Sequence, residues 1–346
     1  MNDEQPTSSE PSQSRGSRIG SFIAWAILVI AGFMCSMWII APKVYLLDVL
    51  ASHQMLWGWC TLGYVIFILV VRRLKAWRFA VVGLFFVCFA MYPVCTKRVF
   101  TLPEVQIDQK PDTVIRVITS NIHPVNTHWK EDLKSMFAMG ADVVILNEVS
   151  PELSRAVRFD GYLESTAYPH WVHRFWVENE TSPGIIISRW PIQHIAPSDT
   201  IKLTQNHLYT TIQLPAGRVI IGLAHPLSPR NKNRWREGNL AIESQGLRIK
   251  ELIAQTGNAT PIIIGADLNA GPAQTRASTM RDAGMSMSKP VLRVGGSFPA
   301  NTWVPTLLQI QLDDVWTHGK IKPVAWSAFD LIGSDHRGVV VDLEFE

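Results

Sequence analysis

Four short blocks place metal- and proton-handling side chains at the ends of apolar runs: Asp142-Val-Val-Ile-Leu-Asn-Glu148, Ile221-Gly-Leu-Ala-His-Pro226, Ile262-Ile-Ile-Gly-Ala-Asp-Leu-Asn269 and Gly333-Ser-Asp-His-Arg337. A polar residue just past a buried strand can enter a cleft shared with its neighbours. Glu148 offers a hard carboxylate of the kind that suits Mg²⁺ or Mn²⁺ with several retained waters. Asp267 and Asn269 are spaced by one and share a face of an extended segment. That pairing suits a general base on an attacking water and an amide that orients the water or a phosphate oxygen. Asn121 ligates or positions metal-bound water without adding charge repulsion. His225 and His336 supply hydrogen bonds or positive charge to a phosphorane-like transition state, and Asp335 adds a carboxylate to the metal region or to the hydrogen bonding around it. Taken together, the blocks read as a metal-assisted phosphoesterase.

Charge narrows the substrate little. From residue 101 onward there are 23 Lys plus Arg and 25 Asp plus Glu, a balance of 23 − 25 = −2, which gives no support to strong nonspecific nucleic-acid binding. One basic run, Arg230-Asn-Lys-Asn-Arg-Trp-Arg236, follows the His225 block and reads as a loop. Its Arg230, Lys232, Arg234 and Arg236 are the candidate substrate-binding cations, able to grip a phosphate backbone, a phospholipid headgroup or the bilayer surface, with Trp235 at the interface. His170-Trp-Val-His173 has no Glu or Cys at a zinc-ligand interval. The other histidines read as surface or cleft residues, with His123 in reach of the cleft. All four cysteines precede residue 96, so the later region has no disulfide framework and no thiolate site.

The elements that hold these residues follow a polar Met1–Gly20 tail and an apolar region. Ser21–Ala41, Met55–Val71 and Phe79–Cys95 contain no charged residue and, as helices, match a hydrocarbon core of about 30 Å. They predict three membrane spans, with tryptophans near their ends at interfacial depth. Arg15, Arg18 and the Arg72, Arg73, Lys75, Arg78 loop keep the N-terminus and that loop cytoplasmic by the positive-inside rule. Residues after Cys95 then fall outside the cytoplasm, although Lys97 and Arg98 weigh the other way. The expectation is an integral protein of a bacterial plasma membrane with an extracytoplasmic catalytic domain over 113–346, joined by a 96–112 linker.

Strands are predicted at Val114–Asn121, Asp142–Glu148, Gly184–Arg189, Tyr209–Leu214, Arg218–His225, Pro261–Asp267, Leu312–Thr317 and Gly338–Phe345. Helices are predicted at Thr127–Met139, Leu240–Ala254 and Pro272–Ala283. The pattern gives an α/β (α+β) fold: a two-layered β-sandwich flanked by helices, preceded by a bundle of about three transmembrane helices.

The order Asn121, Glu148, His225, Asp267-x-Asn269, Asp313, Asp335-His336 resembles the endonuclease/exonuclease/phosphatase superfamily with its deoxyribonuclease-I-like fold. The resemblance runs from Val114 to Phe345. Pro183-Gly-Ile-Ile-Ile-Ser-Arg-Trp-Pro-Ile192 is similar to the family's middle strand, and Asn301-Thr-Trp303 to the segment before its penultimate motif. It implies that Asp267 activates the water, that Asp313 orients His336, and that Glu148, Asn121 and Asp335 lie at an Mg²⁺ (or Mn²⁺) site. The implied activity is hydrolysis of phosphodiesters, either nucleic acid or a lipid headgroup; the apolar spans add the membrane as a partner, and no obligate protein partner is inferred. A phosphomonoesterase of the same fold is the alternative. A non-catalytic sensor of a phosphorylated ligand would be expected to have lost a ligand or the water activator, and this chain retains both. The chain departs from the family's common Gly-Asp-Phe-Asn in Gly265-Ala-Asp-Leu-Asn269, has Gly338 where Pro often follows, Asn147 for a frequent Gln, and Ala224 and Pro226 beside His225. No reacting group is removed.

Overall fold

The computed structural model describes residues 15–72, 77–164, 166–174, 184–195, 207–215, 217–257 and 259–346. The chain forms two compact units, one from the segments up to Ser36 and Met55–Met91, the other from Met37–Gln54 and Tyr92–Glu346.

The first unit is built from most of α1 (Arg15–Ile40), α3 (Gln54–Arg72) and α4 (Trp77–Cys95). Stretches Ile19–Lys43, Tyr45–Val71 and Trp77–Cys95 are long and apolar enough to cross a membrane. Ala24, Leu28, Ile68 and Phe79 pack among the helices. A Cβ on Gly83 would lie 2.2 Å from Val65 Cγ2, so glycine permits the close helix approach usual between membrane helices. Phe22, Ile30, Phe67 and Phe85 face outward and are exposed, an apolar surface of the kind that lipid covers. The predicted tail ends earlier than Gly20, because α1 is already helical at Arg15. Arg73 and Lys75 of the basic loop lie outside the described residues.

The second unit contains two six-stranded mixed sheets. Its strands are β1 (Val114–Asn121), β2 (Val143–Asn147), β3 (His170–Arg174), β4 (Gly184–Ser188), β5 (Ile192–His194), β6 (His207–Leu214), β7 (Gly217–Ala224), β8 (Ile262–Asp267), β9 (Ser286–Met287), β10 (Asp313–His318), β11 (Ile321–Phe329) and β12 (Gly338–Phe345). One sheet has the order β11-β12-β1-β2-β4-β3, the other β5-β6-β7-β8-β10-β9. Helices α5 (Trp129–Ala138) and α6 (Pro151–Arg158) cover the first sheet, and α7 (Lys232–Thr256) and α8 (Thr275–Asp282) the second. Val117, Val143, Ile145 and Ile186 meet Ile212, Ile221, Ile263 and Val315 between the sheets. A Cβ on Gly265 would lie 2.7 Å from Thr119 Oγ1 and 2.8 Å from Ile145 Cβ, so the glycine before the Ala-Asp pair lets β8 press against β1 and β2. That close approach brings the ends of the central strands of both sheets together.

Two sequence expectations are corrected. Residues 96–112 are not a free linker. Val291 N donates to Val99 O (2.9 Å) and Leu292 N to Phe100 O (3.0 Å), while Trp326 N donates to Pro103 O (3.0 Å). Val105 is buried. Lys97 Nζ and Arg98 Nε donate to the carbonyls of Arg281 and Lys289 (2.6 and 2.9 Å), so these cations serve the domain's own packing. The basic run is likewise not a loop over most of its length. Asn231 caps α7 by accepting from Arg234 N, and the helix begins at Lys232, eight residues ahead of the expected start at Leu240. Trp235, expected at an interface, is 7 % exposed and donates to Asp48 inside the domain.

Candidate active site

Strand ends set the geometry. Parallel pairing aligns Asn121 of β1 with Asn147 of β2, which puts Glu148 one residue beyond. Antiparallel pairing sets Asp313 of β10 opposite Asp267 of β8, and β7 runs parallel to β8, with Ala224 aligned to Ala266. His225 therefore leaves its strand beside Asp267. Among the described residues five non-glycines have positive φ, and three of them, His123 (66°), Glu148 (52°) and Asn269 (49°), lie here. Left-handed backbone costs about 1–3 kcal/mol at non-glycine residues and persists where the surroundings enforce it, commonly at functional sites.

Asp267, fully buried, is the hub. Its Oδ2 accepts from Asn121 Nδ2 at 2.9 Å and its Oδ1 from the Asn269 amide at 2.8 Å. His225 Nε2 lies 3.6 Å from Oδ2 and 3.2 Å from Glu148 Oε1. His336 Nδ1 lies 3.9 Å from the same Asp267 oxygen and 2.7 Å from Asp313 Oδ2. Asn269 Nδ2 reaches back to Pro226 O (3.1 Å), tying the β8 end to the His225 turn. Asn121 Oδ1 is occupied by the His123 amide at 3.0 Å. Asp335 is exposed and shares a cavity of about 360 Å³ with Glu148, His123, Asn269 and His336. The candidates Asn121, Glu148, His225, Asp267, Asn269, Asp313, Asp335 and His336 thus converge. Of the four candidate cations only Arg230 lines this cavity. Lys232 and Arg236 are exposed on the first turns of α7, and Arg234 Nε is taken by Ser228 O at 3.2 Å.

Burial and charge act against each other here. Burial alone would raise the Glu148 carboxyl, but the His225 hydrogen bond and charge, with help from Asn121, bring it down to about 2. Burial would lower His336, yet the charges of Asp313 and Asp267 outweigh it and raise the imidazole to about 10. His225 is raised in the same way, burial being overcome by Glu148 and Asp267. Asp313 is raised, chiefly by burial, with His336 opposing. Glu148 is thus held ionised beside two imidazoles whose protonated forms are favoured, while burial pulls Asp313 the other way.

Two serines that sequence reasoning did not single out fix these groups. Ser297 Oγ accepts from the Leu312 and Asp313 amides (3.0 and 2.9 Å). Ser334 Oγ donates to Asn121 O (2.7 Å) and accepts from the His336 amide (3.0 Å), joining the first and last motifs. Ser334 stood inside the Gly-Ser-Asp-His block, whereas nothing distinguishes Ser297 in sequence from an ordinary loop serine.

The donors suit a divalent cation. Asp267, Asp313 and His336 each bring a ligand atom within 4.8 Å of the others, and this trio could hold such an ion. Asp313 Oδ1 is a buried carboxylate oxygen with no hydrogen-bond partner, and Glu148 adds hard oxygen next door. His336 Nδ1 is engaged by Asp313 at 2.7 Å, and Glu148, its side chain 23 % exposed, is the hard oxygen ligand that faces the cavity.

Residues 108–336 match the model of the Endonuclease/Exonuclease/phosphatase family. No curated protein matches the chain. Among solved structures, an endonuclease/exonuclease/phosphatase from Bacteroides vulgatus is similar at 16 % identity, covering 68 % of this chain and 100 % of that one, with a TM-score of 0.51. A functionally unknown conserved protein from Enterococcus faecalis V583 is similar at 14 % identity, covering 67 % and 100 %, with a TM-score of 0.50. An endonuclease/exonuclease/phosphatase from Beutenbergia cavernae DSM 12333 reaches 19 % identity over 67 % and 72 %, with a TM-score of 0.47. At these identities the likeness is one of fold.

Proposed function

The chain belongs to the endonuclease/exonuclease/phosphatase family, and we propose that it is a membrane-anchored, Mg²⁺- or Mn²⁺-dependent phosphodiesterase acting on nucleic acid or a lipid headgroup. Fold and ligand cluster support metal-dependent phosphoester hydrolysis in general. The observation that carries the finer reading is Asp267: a fully buried carboxylate that meets Asn121, Asn269, His225 and His336 at one point.

In this reading Asp267 takes the proton of the attacking water, and the Asn269 amide holds that carboxylate in place while its side chain is tied to Pro226 O. His225 and His336, whose protonated forms the neighbouring carboxylates favour, donate to the phosphoryl oxygens as negative charge grows on them. Asp313 positions His336 and keeps it charged. Glu148, Asn121 and Asp335 would hold the ion, which when bound supplies electrophilic polarisation of the phosphate. Arg230, at the cavity rim, attracts the anionic ester.

The test is a panel of DNA, sphingomyelin, phosphoinositides and a generic diester, with Mg²⁺ or Mn²⁺ and then with EDTA. Turnover is expected on at least one ester and is lost on chelation. Full activity in EDTA on every ester that is cleaved would remove the metal from the mechanism.

For topology, residues 37–54 and everything from Tyr92 on belong to one compact unit. Three spans would put the connection between the first two on the same side of the membrane as the catalytic domain, and basic-residue counting favours the extracytoplasmic side. A reporter active only outside the cytoplasm should be active after Glu346 and silent when inserted between Arg72 and Arg78. The reverse pattern would put the site in the cytosol and favour intracellular nucleotides or nucleic acid as substrates.

A further inference from the structure

The connection between the first two apolar helices carries a short helix, α2 (Tyr45–Leu50), and a 3-10 turn, Ala51–His53. Its sequence is mostly apolar with one acid, Asp48, which an ordinary membrane hairpin would leave in water. In this chain Asp48 is 1 % exposed. Trp235 Nε1 of α7 donates to its Oδ2 at 2.7 Å, and the backbone and hydroxyl of Thr275, at the start of α8, both donate to Oδ1 at 2.9 and 2.8 Å. Tyr45 OH adds a bond to Pro229 O at 2.8 Å. Charged hydrogen bonds buried in this way are strong and directional, so the connection is locked to the two helices behind the second sheet.

Its far end reaches the chemistry. Val49 and Ser52 line the same 360 Å³ cavity as Glu148, Asn269 and His336. A Cβ on Gly271, just after the Asp267-Leu-Asn269 motif, would lie 3.1 Å from Ser52 O and 3.2 Å from Ser52 Cα, so only glycine leaves that contact unstrained. Ser52 Oγ donates to Val49 O at 2.7 Å, which ties the two lining residues to each other.

We propose that this connection is a wall of the substrate site, with Asp48 as the positioning residue that clamps it and Val49 and Ser52 as the residues that determine which phosphate esters fit. The proposal rests on the hydrolytic reading above. A wall fixed by buried hydrogen bonds discriminates through the volume it leaves, so its effect appears as a ratio between esters that differ in bulk and share one reaction.

The experiment uses the full chain in detergent or nanodiscs with Mg²⁺ or Mn²⁺. It compares kcat/KM on methyl 4-nitrophenyl phosphate and on bis(4-nitrophenyl) phosphate. Val49→Trp should lower the bulky-to-small ratio by about tenfold or more, the scale on which a pocket rejects added volume, and Val49→Ala should move it the other way. In a second measurement, Ser52→Cys is labelled with N-ethylmaleimide and followed on the peptide containing residue 52. Inorganic phosphate with the metal should slow that labelling several-fold, a readout that needs no turnover. If wild-type enzyme cleaves these esters while both Val49 variants, still folded, keep the wild-type ratio, the wall is wrong and the hydrolytic reading stands. If no ester is cleaved, the hydrolytic reading fails, and the wall is then decided by the labelling alone. Phosphate protection keeps the wall, and an unchanged rate removes it.

Discussion

Asp267→Asn lowers kcat by about 10²-fold or more, the scale of a lost general base, and His225→Ala does the same through loss of a transition-state donor. The asparagine keeps the shape of the side chain and can still accept from the Asn269 amide, which now meets Asp267 Oδ1 at 2.8 Å. It cannot take a proton from water. On the other side its amide group would face Asn121 Nδ2, which now donates to Oδ2 at 2.9 Å, so one donor must turn away. KM should change less than kcat, because neither group carries the ground-state charge of the substrate alone. The double variant should lose far less than the product of the two single losses, since residues acting on one transition state are not additive. Steady-state kinetics on whichever ester wild type cleaves, beside circular dichroism to verify folding, decides the matter. Near-normal turnover in both folded variants would place the chemistry elsewhere.

Arg116→Met should destabilise the catalytic unit by about 3–5 kcal/mol, the usual cost of stripping one partner from a buried ion pair. Arg116 is wholly buried in β1 and lies opposite Asp342 of β12. Its Nε and Nη2 grip the two carboxylate oxygens at 2.7 and 2.9 Å. The remaining donors hold Ile107 O (3.1 Å), Met139 O (2.7 Å) and Gln106 O (2.8 Å). One guanidinium thereby fastens the segment after the third apolar helix, the end of α5 and the central strand pair. Methionine fills much of the volume, yet leaves Asp342 charged and buried with three carbonyls unpaired. Adding Asp342→Leu should recover a good part of the loss, because the pair removed together leaves no orphan charge. Denaturant unfolding followed by tryptophan fluorescence measures both variants. A loss below about 1 kcal/mol for Arg116→Met would mean that water reaches the site and the pair is worth no more than a surface bridge.

What could be read in advance followed from periodicity and strand-end chemistry. Val114–Asn121 and Gly338–Phe345 coincide with β1 and β12 at both ends, because apolar runs bounded by polar turns define buried strands. The converging residues were legible for the same reason: each closes such a run. β11 was missed since Pro323 interrupts its alternation, and the structure accommodates the proline with a register shift between Pro323 and Ala325. The first turns of α7 were read as loop because Lys232, Asn233, Arg234 and Arg236 show no apolar stripe. Only the Asn231 cap and a single buried tryptophan mark them as helix. The role of residues 41–54 had no local signature at all. It depends on partners such as Thr275, and a one-dimensional pattern carries no information about which distant segment will meet which.

That distance has a consequence for biogenesis. Asp48 and Thr275 are 227 residues apart in the chain, so during synthesis the acid emerges long before the threonine that will bond it. Until α7 and α8 exist, the hairpin between the first two apolar helices has no partner for its carboxylate. Closing so long a loop is slow compared with forming local helices and hairpins, and domains of this size assemble through partly formed states. The clamp therefore cannot form until α7 and α8 have been made. The pocket wall is fixed only when the segment after the first apolar helix meets helices made some two hundred residues later, which ties completion of the site to synthesis through α8.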